Sequence, residues 1–207
     1  MIIIILHNEK NQYYKNCLHN ITGVLDVKAA VLIDGENVVM CLKDTLGRKV
    51  QLDRDIDWKG FFEYLASLGY EVIIARIYAN PFIFLKNPHI ANNLERMGIK
   101  VVLADSTMKE NGPKSTTDTT MTAEGIRMLY ERPVDTVVIV SGDRDFLPLA
   151  ETARELGRTV LFAAFLDSTA NILKNRYQVI NLLNFSALNV TFDNNIYSNV
   201  EEISVQG

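Results

Sequence analysis

The chain has 207 residues, is 48% hydrophobic and carries a formal net charge of −4. Such a length and apolar share suffice for one domain with a full core, while the acidic balance excludes a global basic field as the means of holding nucleic acid; a local basic rim would have to serve. Two cysteines, Cys17 and Cys41, are too few for a disulfide framework and point to a reducing, cytoplasmic setting.

Residues 1–26 read as an N-terminal extension. Met1-Ile-Ile-Ile-Ile-Leu6 is too short to cross a bilayer and lacks a basic leading region, so a strand is expected rather than a signal peptide or membrane anchor. His7 and His19 have no second ligand at a metal-motif spacing and are expected on the surface.

The main domain is expected over 27–183, followed by an Asn-rich tail over 184–207. Val27–Ile33 is a short apolar strand that ends in Asp34-Gly-Glu-Asn37, an acid, a glycine suited to a sharp turn, and an amide. Residues 38–57 are mixed, with Gly47-Arg-Lys either a turn between short strands or a helix end. Trp58–Gly69 has Phe61, Phe62, Leu65 and Leu68 at helical spacing and a glycine stop. Tyr70–Tyr78 is the next strand. Asn80-Pro81 breaks it, and Phe82-Ile-Phe-Leu85 stands in a loop position, where it would cover the sheet or a partner.

Pro88–Met97 fits a helix and Ile99–Leu103 a third strand. Residues 104–114 form a polar connection long enough to move. A hydroxyl-rich entry, Ser115-Thr-Thr-Asp-Thr-Thr, opens a helix that holds Asp118 and Glu124. These two acids lie nearly two turns apart, about 9 Å along the axis.

Thr136-Val-Val-Ile-Val-Ser-Gly-Asp-Arg-Asp-Phe146 organises the chain. Its apolar run suits a strand covered on both faces, and it ends in a polar turn with Asp143 and Asp145. A helix to Gly157, a strand over 158–165, a short helix over 168–175 and a last strand over 177–183 complete the pattern. Strands alternating with helices specify a parallel α/β sheet with right-handed crossovers.

In such a sheet Asp34, Asp118, Asp143 and Asp145 fall at carboxyl ends of strands or an adjacent helix start, on one edge. One reading is structural: Asp143 caps a helix and Asp145 sits in its first turn. The other is chemical. Hard oxygen ligands suit Mg²⁺ or Mn²⁺, a cation that activates water and neutralises charge on a scissile phosphate. Asn37 would then position substrate, and Lys109, Lys114 and Arg144 would hold backbone phosphates. No Gly-rich phosphate loop opens a helix, no Cys or His cluster has zinc spacing, and Ser141 lacks a histidine partner, since His89 opens a helix elsewhere.

Ile33-Asp-Gly-Glu-Asn-Val38, Lys114-Ser-Thr-Thr-Asp118 with Glu124, and Val140-Ser-Gly-Asp-Arg-Asp-Phe146 together resemble the NYN domain family of the PIN-like nuclease superfamily, in order and spacing. The resemblance covers residues 27–183. It implies a PIN-like, Rossmann-like three-layer α/β sandwich around a mostly parallel sheet, and metal-dependent cleavage of RNA. By motif, Asp34, Asp118, Asp143 and Asp145 would be the catalytic and metal-binding acids. Glu124 stands where many members carry another acid, often aspartate, and would be a further ligand. Asn37 and Ser141 follow the first and last motifs and, with Lys114 and Arg144, would contact substrate.

The expectation is therefore a Mg²⁺- or Mn²⁺-dependent endoribonuclease. The alternatives are an inactive PIN-like module that binds RNA or protein, and a nuclease acting on DNA. Phe82–Leu85 and Met1–Ile5 are candidate homodimer contacts, with core burial the competing fate.

Overall fold

The computed structural model describes residues 27–84, 87–109 and 112–187. The N-terminal extension, the part of the tail beyond residue 187, and Leu85 lie outside the described residues, and the expectations placed on them go no further here.

Six parallel strands form the central sheet: β1 (Val27–Asp34), β2 (Tyr70–Ala79), β3 (Lys100–Leu103), β6 (Thr136–Val140), β7 (Thr159–Ala164) and β8 (Gln178–Asn181). Their order is β3-β2-β1-β6-β7-β8. The missing numbers belong to an antiparallel hairpin, β4 (Ser106–Lys109) and β5 (Gly112–Ser115). The hairpin replaces the structureless connection expected over 104–114.

Strand parity divides the core in two. Val31, Ile33, Ile77, Val138 and Val140 face α1 (Gly35–Leu46), α2 (Trp58–Ser67) and α3 (His89–Arg96). Ala30, Leu32, Val137, Ile139 and Phe162 face α4 (Thr117–Glu131), α5 (Leu147–Glu155) and α6 (Asn171–Arg176). The result is the three-layer α/β sandwich expected, with Trp58 and Phe61 among the largest side chains in the first layer.

Two glycines deserve separate readings. Gly47 ends α1 in the left-handed region at φ 60, so the mixed stretch after Asp34 is a helix and its cap, not two strands. Gly35 has no positive φ. A Cβ there would stand 3.0 Å from the Tyr78 carbonyl oxygen and 3.2 Å from Ile77 Cγ1. The glycine lets α1 start against β2; it does not make the sharp turn expected of it.

The chain leaves β1 toward β2 and β3, and from β6 builds outward on the other side. The reversal falls between β1 and β6, whose register pairs Ile33 with Val140. Open α/β sheets bind ligands outside the carboxyl ends of the strands at this switch point.

Candidate acidic site

Asp34 is the last residue of β1, and Ser141 follows the last residue of β6. Because Ile33 pairs with Val140, the next residue on each strand is also adjacent. Ser141 Oγ donates to Asp34 Oδ2 at 3.0 Å. The Asn37 backbone N–H donates to Asp34 Oδ1 at 3.1 Å, which makes Asp34 the N-cap of α1. Asp34 is only 3% exposed.

The turn after β6 is braced in the same manner. The Asp143 N–H donates to Ser141 Oγ at 3.1 Å, and the Asp145 N–H to Asp143 Oδ1 at 3.0 Å. Asp143 thus caps a 3₁₀ turn, Arg144–Phe146, that leads into α5. Across the gap, Asn37 Oδ1 accepts from the Gly142 N–H at 3.2 Å. A Cβ at Gly142 would stand 3.2 Å from the Ser168 carbonyl; its absence lets the 168–170 segment close over the turn, where the Ala170 N–H reaches the Gly142 carbonyl at 3.0 Å.

Asp118 enters from the first turn of α4, where the helix dipole favours an anion. The base of the preceding hairpin is closed by Thr116, whose N–H and Oγ1 both donate to the Asp105 carbonyl, at 3.0 and 2.9 Å.

These acids share one electrostatic environment. Burial pushes the Asp34 carboxyl up to about 7, against the lowering effect of the Asn37 N–H and Ser141; the charges of Asp118 and Glu36 add to the rise. Asp118 is also raised, first by loss of solvent and then by Asp143, Glu36 and Asp145. Among the described residues, no basic side chain makes an ion pair with any of the five.

Glu36 was not anticipated as a member of this group. Its Oε1 accepts from Thr117 Oγ1 at 2.6 Å and from the Asn80 N–H at 3.1 Å. It therefore ties the start of α1 to the start of α4 and to the loop after β2. The signal was in the sequence, one residue past Gly35. Reading Asp34–Asn37 as a turn hid it; as the first turn of a helix, the same residues carry an acid near the dipole's positive end.

Other expected residues go elsewhere. Glu124 Oε2 accepts from Arg76 at 2.8 Å and from Tyr78 Oη at 3.1 Å, so its carboxylate is engaged with β2 rather than with the aspartates. Ser141 is 1% exposed and its hydroxyl is spent on Asp34 and Asp143; it braces the site instead of facing substrate. The Asn37 carbonyl oxygen is likewise occupied by Gly142. Arg144 is exposed. With Asp118 and Asp145 it lines an open groove of about 830 Å³ whose walls are Thr122 and Ile126 of α4 and Leu147 and Pro148 of α5. Lys114 lies on β5, and the side chains of Lys109 and Lys114 are outside the described residues.

The donor set suits a hard divalent cation, whose charge would relieve the mutual repulsion that raises Asp34 and Asp118. It is not a closed cage: among the described residues no three Asp, Glu, His or Cys side chains are gathered as a ready metal site. An open arrangement is compatible with Mg²⁺, which binds through one or two carboxylates, keeps several waters and takes further oxygens from substrate phosphate.

The fold and this edge define a doubly wound α/β protein with an acidic site at its switch point. The chain belongs to the NYN domain family, which it matches over residues 28–183, and so shares the PIN-like nuclease fold of that family. A crystal structure of a protein of unknown function from Vibrio parahaemolyticus RIMD 2210633 is similar, with a TM-score of 0.60 and 23% identity over 77% of this chain and 94% of that one; the likeness concerns the fold alone. No curated protein matches the chain. No helix among the described residues is long and apolar enough to cross a membrane.

Proposed function

We propose that this protein is a metal-dependent endoribonuclease. The observation that carries the reading is Asp34: a carboxylate buried at the switch point with no cationic side chain paired to it, in the field of Glu36, Asp118, Asp143 and Asp145. Burying a charge this way is costly unless a cation completes it.

Asp34, Asp118, Asp143 and Asp145 would hold Mg²⁺ or Mn²⁺. When bound, such an ion would activate water and neutralise charge on the phosphodiester. The chain's own residues do the rest. Ser141 and the Asn37 N–H fix both oxygens of Asp34. The cap at Asp143 sets the turn that presents Asp145 and Arg144. Arg144 is placed to meet a phosphate in the groove between α4 and α5. Glu36 orders the Asp118 end of the site through Thr117.

Asp143→Asn tests the proposal. The amide keeps the cap on Asp145 but removes the charge. Cleavage of a single-stranded RNA oligonucleotide in Mn²⁺ should fall by about 10²-fold or more, with the melting temperature held within a few degrees. Activity equal to that of the native chain, or cleavage that survives EDTA, rejects the reading. A DNA oligonucleotide of the same sequence, run in parallel, tests the choice of sugar.

The absence of a preassembled trio of ligands among the described residues favours one competitor, an inactive PIN-like module that binds RNA or a protein. Titration with Mn²⁺ in a calorimeter separates the two: no heat of binding at millimolar metal favours the module.

A further inference from the structure

A second depression, of about 700 Å³, lies along α1, walled by Val39, Ile83 and Phe82 and bordered by Lys43, Arg48 and Lys49. Its described lining holds three cations and no carboxylate, in a chain whose net charge is −4. Phe82 is 43% exposed, although Phe84, two residues on, is 6% exposed and part of the core. The sequence Phe82-Ile-Phe-Leu85 thus splits between burial and display.

The exposed ring is held in place from the acidic site. Asn80 Oδ1 accepts from the Phe82 N–H at 2.9 Å and caps the 3₁₀ turn Pro81–Ile83. The Asn80 N–H in turn donates to Glu36 Oε1. Val39, where the depression meets α1, is four residues past Gly35, about 6 Å along the helix axis. That is within one nucleotide of the Asp34 end.

We propose that this groove carries single-stranded RNA flanking the bond to be cut. Phe82 stacks a base, and Lys43, Lys49 and Arg48 neutralise the phosphates on either side. An aromatic platform set among cations is how single strands are held without reading their sequence. Arg48 contributes less than Lys43, because it also pairs with Asp55 at 2.5 and 3.0 Å. An acidic peptide would use the cations but gain little from a displayed phenylalanine above an apolar wall. The assignment rests on the nuclease reading for its choice of RNA, and its test is kept separate from cleavage.

Fluorescence anisotropy with a labelled oligouridine in EDTA measures binding with no turnover. Phe82→Ala should weaken it about tenfold or more, and Phe82→Tyr, which keeps the ring, should restore it. Lys43→Gln with Lys49→Gln should lower the salt slope of log K by about 1.4, at roughly 0.7 per phosphate lost. Native affinity and slope in both variants overturn the proposal, as does a polyglutamate peptide that competes as well as RNA does. If Asp143→Asn cleaves normally while Phe82→Ala binds poorly, the acidic-site reading fails and the groove stands. If Asp143→Asn is inactive while Phe82→Ala binds as the native chain does, the groove fails alone.

Discussion

Two aspartates in this molecule are buried to nearly the same depth, Asp55 at 2% exposure and Asp34 at 3%, and they are treated in opposite ways. Arg48 donates to both oxygens of Asp55, and the Gln51 N–H adds a third bond at 2.6 Å. That carboxylate is complete, and it fastens the loop between α1 and α2 beside Trp58. Asp34 receives two hydrogen bonds from neutral donors and faces other acids. One site is finished by the chain itself, while the other keeps an electrostatic deficit that only a proton or an outside cation can remove. Functional carboxylates are often distinguished from structural ones in this way.

The largest expected effect follows from that deficit. Below pH 3.8 the Asp34 carboxyl is protonated in both folded and unfolded chains and costs nothing. Between 3.8 and about 7 the unfolded chain gains by ionising and the folded chain does not. Above about 7 both are ionised and the full cost stands, up to about 4 kcal/mol. In EDTA, urea denaturation should therefore show stability rising as pH falls from 8 to 5. Asp34→Asn should be more stable than the native chain at pH 8 and lack most of that slope. Saturating Mn²⁺ should flatten the slope of the native chain. Identical pH profiles for the native chain and the variant would remove the basis of the comparison.

Arg48→Ala tests the other half. It leaves Asp55 buried with no cation, and should cost about 3 kcal/mol in urea denaturation. The two substitutions thus shift stability in opposite directions, although each touches one buried aspartate. Replacing Arg48 and Asp55 together with apolar residues should recover most of the loss, because a buried pair is worth less than the penalty of breaking it.

Glu36→Ala should cost about 1–2 kcal/mol, since it strands the buried Asn80 N–H and Thr117 hydroxyl, and it should loosen the start of α4. Glu36→Gln keeps an acceptor for these donors and removes a charge that raises Asp34 and Asp118. It should restore most of the stability. Equal losses from both variants, measured by thermal denaturation, would mean that Glu36 matters through its charge and not as a fastener.

The strands were legible because they are apolar on both faces, and the four aspartates because each stands at the end of such a run or at a helix start. Helix α1 was not. It follows β1 with no loop, its first residue is a glycine, and Val38-Val-Met-Cys-Leu42 is apolar enough to read as a strand. The glycine serves close packing on the Tyr78 carbonyl, which no local pattern announces. The hairpin at 106–115 was hidden by its short, polar strands. Ser141 and Asn37 were picked out correctly as neighbours of the acids. Their roles differ from those expected because hydrogen bonds across strands, set by register, decide who is left free for substrate.

Glu124 gives the smallest and most discriminating expectation. Sequence spacing put it with the aspartates, and its position two turns into α4 puts it beside β2. Arg76 and Tyr78 take one of its oxygens, and Arg127 approaches the other at 3.9 Å. The Arg76 and Glu124 side chains are 21% and 27% exposed, so the pair is neither a buried ion pair nor a fully solvated one. Glu124→Gln keeps an acceptor for Tyr78 and Arg76 while removing the charge. It should cost about 1 kcal/mol or less and leave cleavage within about twofold of native. The same substitution would lower activity as far as Asp143→Asn does if Glu124 held the cation, so one pair of rate measurements decides where the acidic site ends along α4.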